Sequence, residues 1–321
     1  MREINRREFI HDAALATAAS GAALAGVLNA AAAPANRKMT IMLVCGAIGV
    51  SAKTQAEVNV LAHKHGFESV EARGEELARL SDGELQAVLA DLKAKGLVWG
   101  AASLPVDYRG DEAKFKEGMK GFPGVAKGLE RAGVKRLGTW LTPSSDSLTY
   151  LANFRQTARR LREVASVLKD HGIRFGLEYV GTQKSLVGRK YPFIHTLAET
   201  QDLIAEIGTG NVGLVLDSWH WWTAGDTEAD LLAVKNEQIV SVDLNDAPAG
   251  KPREEQIDNQ RELPMATGVI NVGAFLNAIH RIGYDGPVRA EPFNKALNAL
   301  DNDAACAATI TAMKKAFALI Q

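Results

Sequence analysis

Cysteine is scarce in this 321-residue chain. Cys45 and Cys306 are the only two, and they lack metal-ligand spacing, so a thiolate metal site is excluded. They read as two small, buried, apolar residues with free thiols; a disulfide, which an oxidising compartment would permit, is the alternative. A surplus of basic charge is also missing. Lys and Arg number 37 against 38 Asp and Glu, for a net charge of -1, so a nucleic-acid partner has no electrostatic footprint to bind. A glycine-rich phosphate loop is absent too. Cys45-Gly-Ala-Ile-Gly49 offers only two glycines where a doubly wound nucleotide fold needs more. No internal repeat, linker or second domain interrupts the chain.

The N-terminus is the one unusual segment. Asn5-Arg6-Arg7-Glu8-Phe9-Ile10 precedes an Ala-rich stretch from Ala13 to Ala33. The order of charged, weakly apolar and small-residue zones resembles a bacterial twin-arginine export signal. Residues 1–35 are therefore expected to be removed. The mature chain of residues 36–321 is expected to work in the periplasm, with the twin-arginine translocase as its partner during export. The stretch is too rich in Ala, Gly and Ser to favour stable membrane insertion.

From Met39 onward, short apolar runs alternate with helical periodicity. Eight strand-like runs are expected: 41–45, 69–72, 98–103, 136–141, 174–179, 212–216, 239–244 and 287–290. The helices between them include 150–171, with Leu151, Phe154, Ala158, Leu161, Ala165 and Leu168 on one face. A helix over 111–132 is expected to break near Gly121 and Pro123. Eight such units indicate a single (β/α)₈ barrel.

Four carboxylates close the last four runs: Glu178, Asp217, Asp243 and Glu291. A barrel places those ends at its catalytic face. Strands five to eight are neighbours there, so the four groups can converge. Unpaired, they would repel one another. A hard divalent cation resolves the repulsion, and an all-oxygen set favours Mn²⁺ or Mg²⁺. The competing arrangement is a set of ion pairs with Lys184, Arg189, Arg253 or Arg261.

Four segments carry a resemblance: Leu177-Glu-Tyr-Val-Gly181, Leu216-Asp-Ser-Trp-His220, Val242-Asp-Leu-Asn-Asp246 and Gly283–Phe293. They are similar to the xylose-isomerase-like barrels, which include sugar isomerases and epimerases, inosose dehydratases and endonuclease IV. The resemblance implies metal ligation by Glu178, Asp217 and Glu291. At the third ligand position the family pattern His-x-x-Asp is replaced by Asp243-Leu-Asn-Asp246. The histidine-rich, multi-zinc endonuclease site is missing, since only His220 lies just past a strand end.

By the same resemblance, Glu178 and Glu291 are the acid/base pair that moves a proton α to a carbonyl. His220 contacts a substrate hydroxyl or carbonyl. Lys184, six residues after Glu178, is a candidate to orient substrate. Arg261 sits in a long loop after strand seven, whose Pro248, Gly250 and Pro252 suggest an active-site flap. Trp140 and Trp219 are candidates to face sugar C–H surfaces. The function expected is a metal-dependent isomerase or epimerase of an unphosphorylated carbohydrate. A lyase of the same fold is the alternative, then a non-catalytic carbohydrate-binding protein. An oligomer is compatible with the sequence.

Overall fold

The computed structural model describes residues 37–321. The expected export segment, with Arg6 and Arg7, lies outside these residues. Eight parallel strands close a barrel: β1 Thr40–Leu43, β2 Ser69–Ala72, β3 Val98–Ser103, β4 Arg136–Trp140, β5 Arg174–Glu178, β6 Val212–Asp217, β7 Ile239–Leu244 and β8 Pro287–Ala290. Each pairs with its sequence neighbours, and β8 pairs back onto β1 through Thr40↔Pro287 and Ile41↔Val288. This is the (β/α)₈ barrel. Helices cover its outer face, so the strands read as near-continuous apolar runs rather than as alternating ones.

Local signals set the helix limits. Thr54 caps Gln55–His65 by accepting from the Glu57 amide, and Gly66 ends it in the left-handed region. Glu112–Ala132 runs unbroken through Gly121 and Pro123, contrary to expectation. Proline removes one backbone hydrogen bond, but Phe115, Phe122, Ala126 and Leu129 bury one face of this helix, and that burial outweighs the loss.

Short helices also occupy strand-to-helix connections. Gln183–Leu186 follows β5, Ser218–Ala224 follows β6, and Lys295–Asn298 follows β8. Among the described residues, no helix is long and apolar enough to cross a membrane. Both cysteines are free and buried.

The connection after β7 is long but tied down. Asp246 is fully buried. Its carboxylate accepts from the amides of Ala247, Thr267, Gly268 and Ile270 at 2.7–3.0 Å. These bonds hold the Asp246 carboxyl below its ordinary range, although burial alone would raise it. One acidic side chain thus closes the loop that carries Asp258 and Arg261 over the barrel mouth.

Candidate active site

Glu178 is the last residue of β5 and Asp217 the last of β6. Asp243 lies near the end of β7, and Glu291 follows β8 by one residue. Each offers an oxygen within 4.8 Å of the others. Strand register creates the cluster: Asp217 pairs with Asp243, and Asp243 pairs with Arg289. The side chains line or underlie a cavity of about 440 Å³ at the C-terminal end of the barrel.

Supporting bonds fix three of the four carboxylates. Asp217 caps the helix after β6, its Oδ1 accepting from the Trp219 amide at 2.7 Å and from Asn245 Nδ2 at 3.0 Å. Asn245 in turn accepts from the Glu291 amide at 2.9 Å. Arg261 Nη1 donates to Asp217 Oδ2 at 2.7 Å and to Glu291 Oε2 at 3.3 Å. Arg289 forks onto Asp243, with Nε to Oδ1 at 2.6 Å and Nη2 to Oδ2 at 2.7 Å. Its Nη2 also donates to Glu291 Oε1 at 2.9 Å. Glu178 is the exception, because its Oε1 is buried with no hydrogen-bond partner.

Burial is the main cause of the acid–base behaviour here. It raises Glu178 well above the usual carboxylate range, and Glu291, Asp243 and Asp217 add to the rise. Glu291 is raised to about 7 and Asp217 to about 6, each chiefly by burial and partly offset by the guanidinium beside it. Burial alone would lower Arg261, but Asp217, Glu291 and Asp258 more than compensate and keep it charged.

His220 lies on the helix after β6, fully enclosed. Burial, then Arg261, lowers it to about 3, so the ring is neutral at physiological pH. The Gly181 amide donates to its Nδ1 at 3.1 Å. A Cβ at Gly181 would lie 2.3 Å from the His220 carbonyl, so only glycine allows this contact. Arg261, whose guanidinium can only donate, places Nη2 3.0 Å from the other ring nitrogen, Nε2. That atom faces Glu178 Oε1 at 3.7 Å and Asp258 Oδ1 at 3.6 Å. His220, Glu178 and Asp217 form a second group with ligand-capable atoms within 4.8 Å. With the Arg261 Nη2 donor on it, however, Nε2 has no free lone pair to offer a metal.

Arg261 also lines the cavity, and its guanidinium rests against the rings of Phe293, at 5.0 Å, and Trp219, at 5.6 Å. Phe293 reaches it from a left-handed backbone, with φ of 43°. Trp140 stands at the mouth, 47 % exposed, with the Arg109 guanidinium 3.9 Å above its ring.

Two expected site residues lie elsewhere. Trp219 is wholly buried, because the helix that begins at Ser218 turns its side chain into the core behind Arg261. It supports that arginine instead of facing substrate. Lys184 is exposed on the short helix after β5 and does not line the cavity, since that helix carries its charged end towards solvent. Conversely, Arg289, Asn245, Asp258 and Arg109 were not singled out. Of these, Arg289 had a usable signal: a cation inside a buried strand needs a buried acid.

The family model described as a xylose isomerase-like TIM barrel matches residues 60–316. The inosose isomerase of Bacillus velezensis is 26 % identical over 243 residues, spanning 73 % of this chain and 81 % of that enzyme. The inosose isomerase of Halalkalibacterium halodurans is 25 % identical over 57 % of this chain and only 62 % of its own length. A xylose isomerase domain protein from Alicyclobacillus acidocaldarius superposes with a TM-score of 0.76 at 31 % identity, covering 88 % of this chain and 99 % of that one. Matches over shorter stretches include a 3-dehydroshikimate dehydratase of Pseudomonas aeruginosa and a ketose 3-epimerase of Arthrobacter globiformis. The fold is shared with an IOLI protein whose structure carries a zinc atom. The chain belongs to the xylose isomerase-like TIM-barrel family.

Proposed function

We propose that this protein is a divalent-metal-dependent isomerase or epimerase of a sugar, keto-sugar or cyclitol. The observation that carries the reading is Glu178 Oε1, an enclosed carboxylate oxygen without a partner, set among three other carboxylates. A buried acid in that state calls for a cation or for a substrate proton. Charge balance agrees. Four carboxylates and Asp258 against the guanidiniums of Arg261 and Arg289 leave an excess of negative charge when all are ionised, which a divalent cation reduces.

Glu178, Asp217 and Glu291 are the residues that would hold the metal. The oxygen donors suit Mn²⁺ or Mg²⁺. When bound, the metal would act as a Lewis acid that polarises the substrate carbonyl. Glu178 and Glu291 approach the cavity from strands β5 and β8. One removes the proton α to the carbonyl, and the other returns a proton at the neighbouring position or on the opposite face. Arg261 holds Asp217, Glu291 and the His220 ring in place beside the substrate cavity. The inosose isomerase and ketose 3-epimerase relatives support an activity of this kind.

The similarity to a 3-dehydroshikimate dehydratase favours a lyase as second reading, in which loss of a β-hydroxyl follows the same proton abstraction. Incubation with a panel of keto-sugars and inososes in deuterium oxide separates the two. Exchange with rearrangement supports the isomerase, and exchange with loss of water supports the lyase. Neither exchange nor product across the panel refutes both and leaves a binding protein.

We further propose export to the periplasm as a mature chain of residues 36–321. Changing Arg6 and Arg7 together to Lys is expected to retain the protein in the cytoplasm, and normal delivery of that variant would refute the assignment.

A further inference from the structure

Asp243 occupies the strand position where the family pattern carries a histidine, yet nothing about its surroundings is that of a free ligand. It is fully buried. Both its oxygens accept from one guanidinium, at 2.6 and 2.7 Å. The donor, Arg289, stands directly across the β7–β8 register. The arrangement is the two-point fork that makes Arg–carboxylate pairs strong and directional. The same guanidinium reaches Glu291 Oε1, so its charge lies between the two acids.

A divalent cation placed on Asp243 would lie beside the +1 charge of the partly buried Arg289, where reduced screening makes repulsion costly. At Glu178 a cation would have no hydrogen bond to break, because Glu178 Oε1 has no partner to displace. Arg289 also changes the total charge of the site. Without it the carboxylates would face the single guanidinium of Arg261, and the site would carry one more negative charge.

We propose that Arg289 acts as a resident cation that withholds Asp243 from metal coordination, and so sets both the ligand set and the affinity of the site. The inference rests on the metal reading above. Arg289 is thus a positioning residue, and its effect should be read in metal binding directly, apart from turnover.

The test is calorimetric titration of Mn²⁺ into the purified protein and its variants, with thermal melts to confirm folding. Asp243→Asn is nearly isosteric and removes no ligand, so it is expected to weaken Mn²⁺ binding only slightly, through the less balanced Arg289 charge. Glu178→Gln should weaken it by about tenfold or more. Arg289→Gln should tighten it by about tenfold, because a carboxylate is released to the metal. The double variant Asp243→Asn/Arg289→Gln should lose that gain, since the released group is gone. If Arg289→Gln fails to fold, Arg289→Lys keeps the charge but breaks the fork, and a smaller gain is expected.

Loss of Mn²⁺ in Asp243→Asn as severe as in Glu178→Gln would overturn the inference while leaving the metal reading intact. An unchanged affinity in a folded Arg289 variant would overturn it as well. Absence of Mn²⁺ from the wild type with binding gained in Arg289→Gln would remove the metal reading but uphold the inference. No binding in any variant would remove both.

Discussion

The two halves of the barrel end differently. Strands β1 to β4 run out into Val44, Arg73, Leu104 and Leu141, and their contribution to the cavity is a wall with Trp140 and Arg109 at its rim. Strands β5 to β8 end on four carboxylates, three of them tied to Arg261 and Arg289, and are faced by a neutral histidine. The halves share a scaffold, so the difference lies in the few residues at strand ends. Chemistry is concentrated on one side of the mouth, and the other side can vary its shape without disturbing charge balance.

The largest effect that would break this division is on the charged half. Glu178→Gln and Glu291→Gln are each expected to lower kcat by about 10²–10⁴-fold, the usual range for a positioned acid or base, with the fold preserved. Steady-state kinetics on the active keto-sugar, alongside a thermal melt, provides the check. Near-wild-type turnover in either variant would move the chemistry elsewhere.

The second prediction concerns pH. In the metal-free protein, Glu291 is raised to about 7 and Asp217 to about 6. The folded state therefore keeps protons on these groups after the unfolded chain has lost them. The stability so gained is present at low pH and is lost as pH rises through those values. A bound metal must displace the same protons. The increase in Tm on adding Mn²⁺ should accordingly be greatest near about pH 8 and shrink towards about pH 5. A gain independent of pH would mean that the metal does not sit among these carboxylates.

These two predictions rest on groups that were readable in the sequence for a physical reason. Parallel strands are buried on both faces, so Gly213-Leu-Val-Leu-Asp217 announces itself as an apolar run closed by a charge. The architecture and the four acids follow from that pattern. Arg289 was passed over although it lies within Pro287-Val-Arg-Ala290, because strand position alone does not say which acid it meets; register across β7 and β8 does. Trp219 was assigned to the cavity because its neighbour His220 belongs there. In a helix, adjacent residues point about 100° apart, and the helix over Ser218–Ala224 sends one inward to the core and the other to the site. Lys184 failed for a similar reason, since a short helix replaces the expected loop. Asp246 was visible only as part of a motif; its role in closing the loop depends on amides some twenty residues away.

A smaller effect should appear on the half without the carboxylate cluster. Trp140 is half exposed, and its ring carries the Arg109 guanidinium. Trp140→Ala removes a rim surface and the cation–π contact, but touches none of the carboxylates. KM should rise several-fold while kcat changes little, the signature of lost uniform binding. A fall in kcat matching that of the glutamate variants would show that the two halves are not separable.

The smallest effect concerns the cysteines, which belong to the chemically quiet part of the molecule. Cys45 follows β1, and Cys306 lies in the helix Asn302–Phe317 that packs nearby. Burial pushes their thiols up to about 12 and about 11. Neither should form thiolate at neutral pH, and both should resist alkylation until the protein unfolds. They are close enough for the charge of one to raise the other, yet both are free. Bridging them would require disulfide geometry that packing alone does not provide. Thiol counting under denaturing, non-reducing conditions is expected to give two per chain in protein recovered from an oxidising compartment. A count of zero at monomer mass would reveal a bridge closing almost the whole barrel, and the quiet half would then contribute a covalent clamp worth roughly 3–5 kcal/mol.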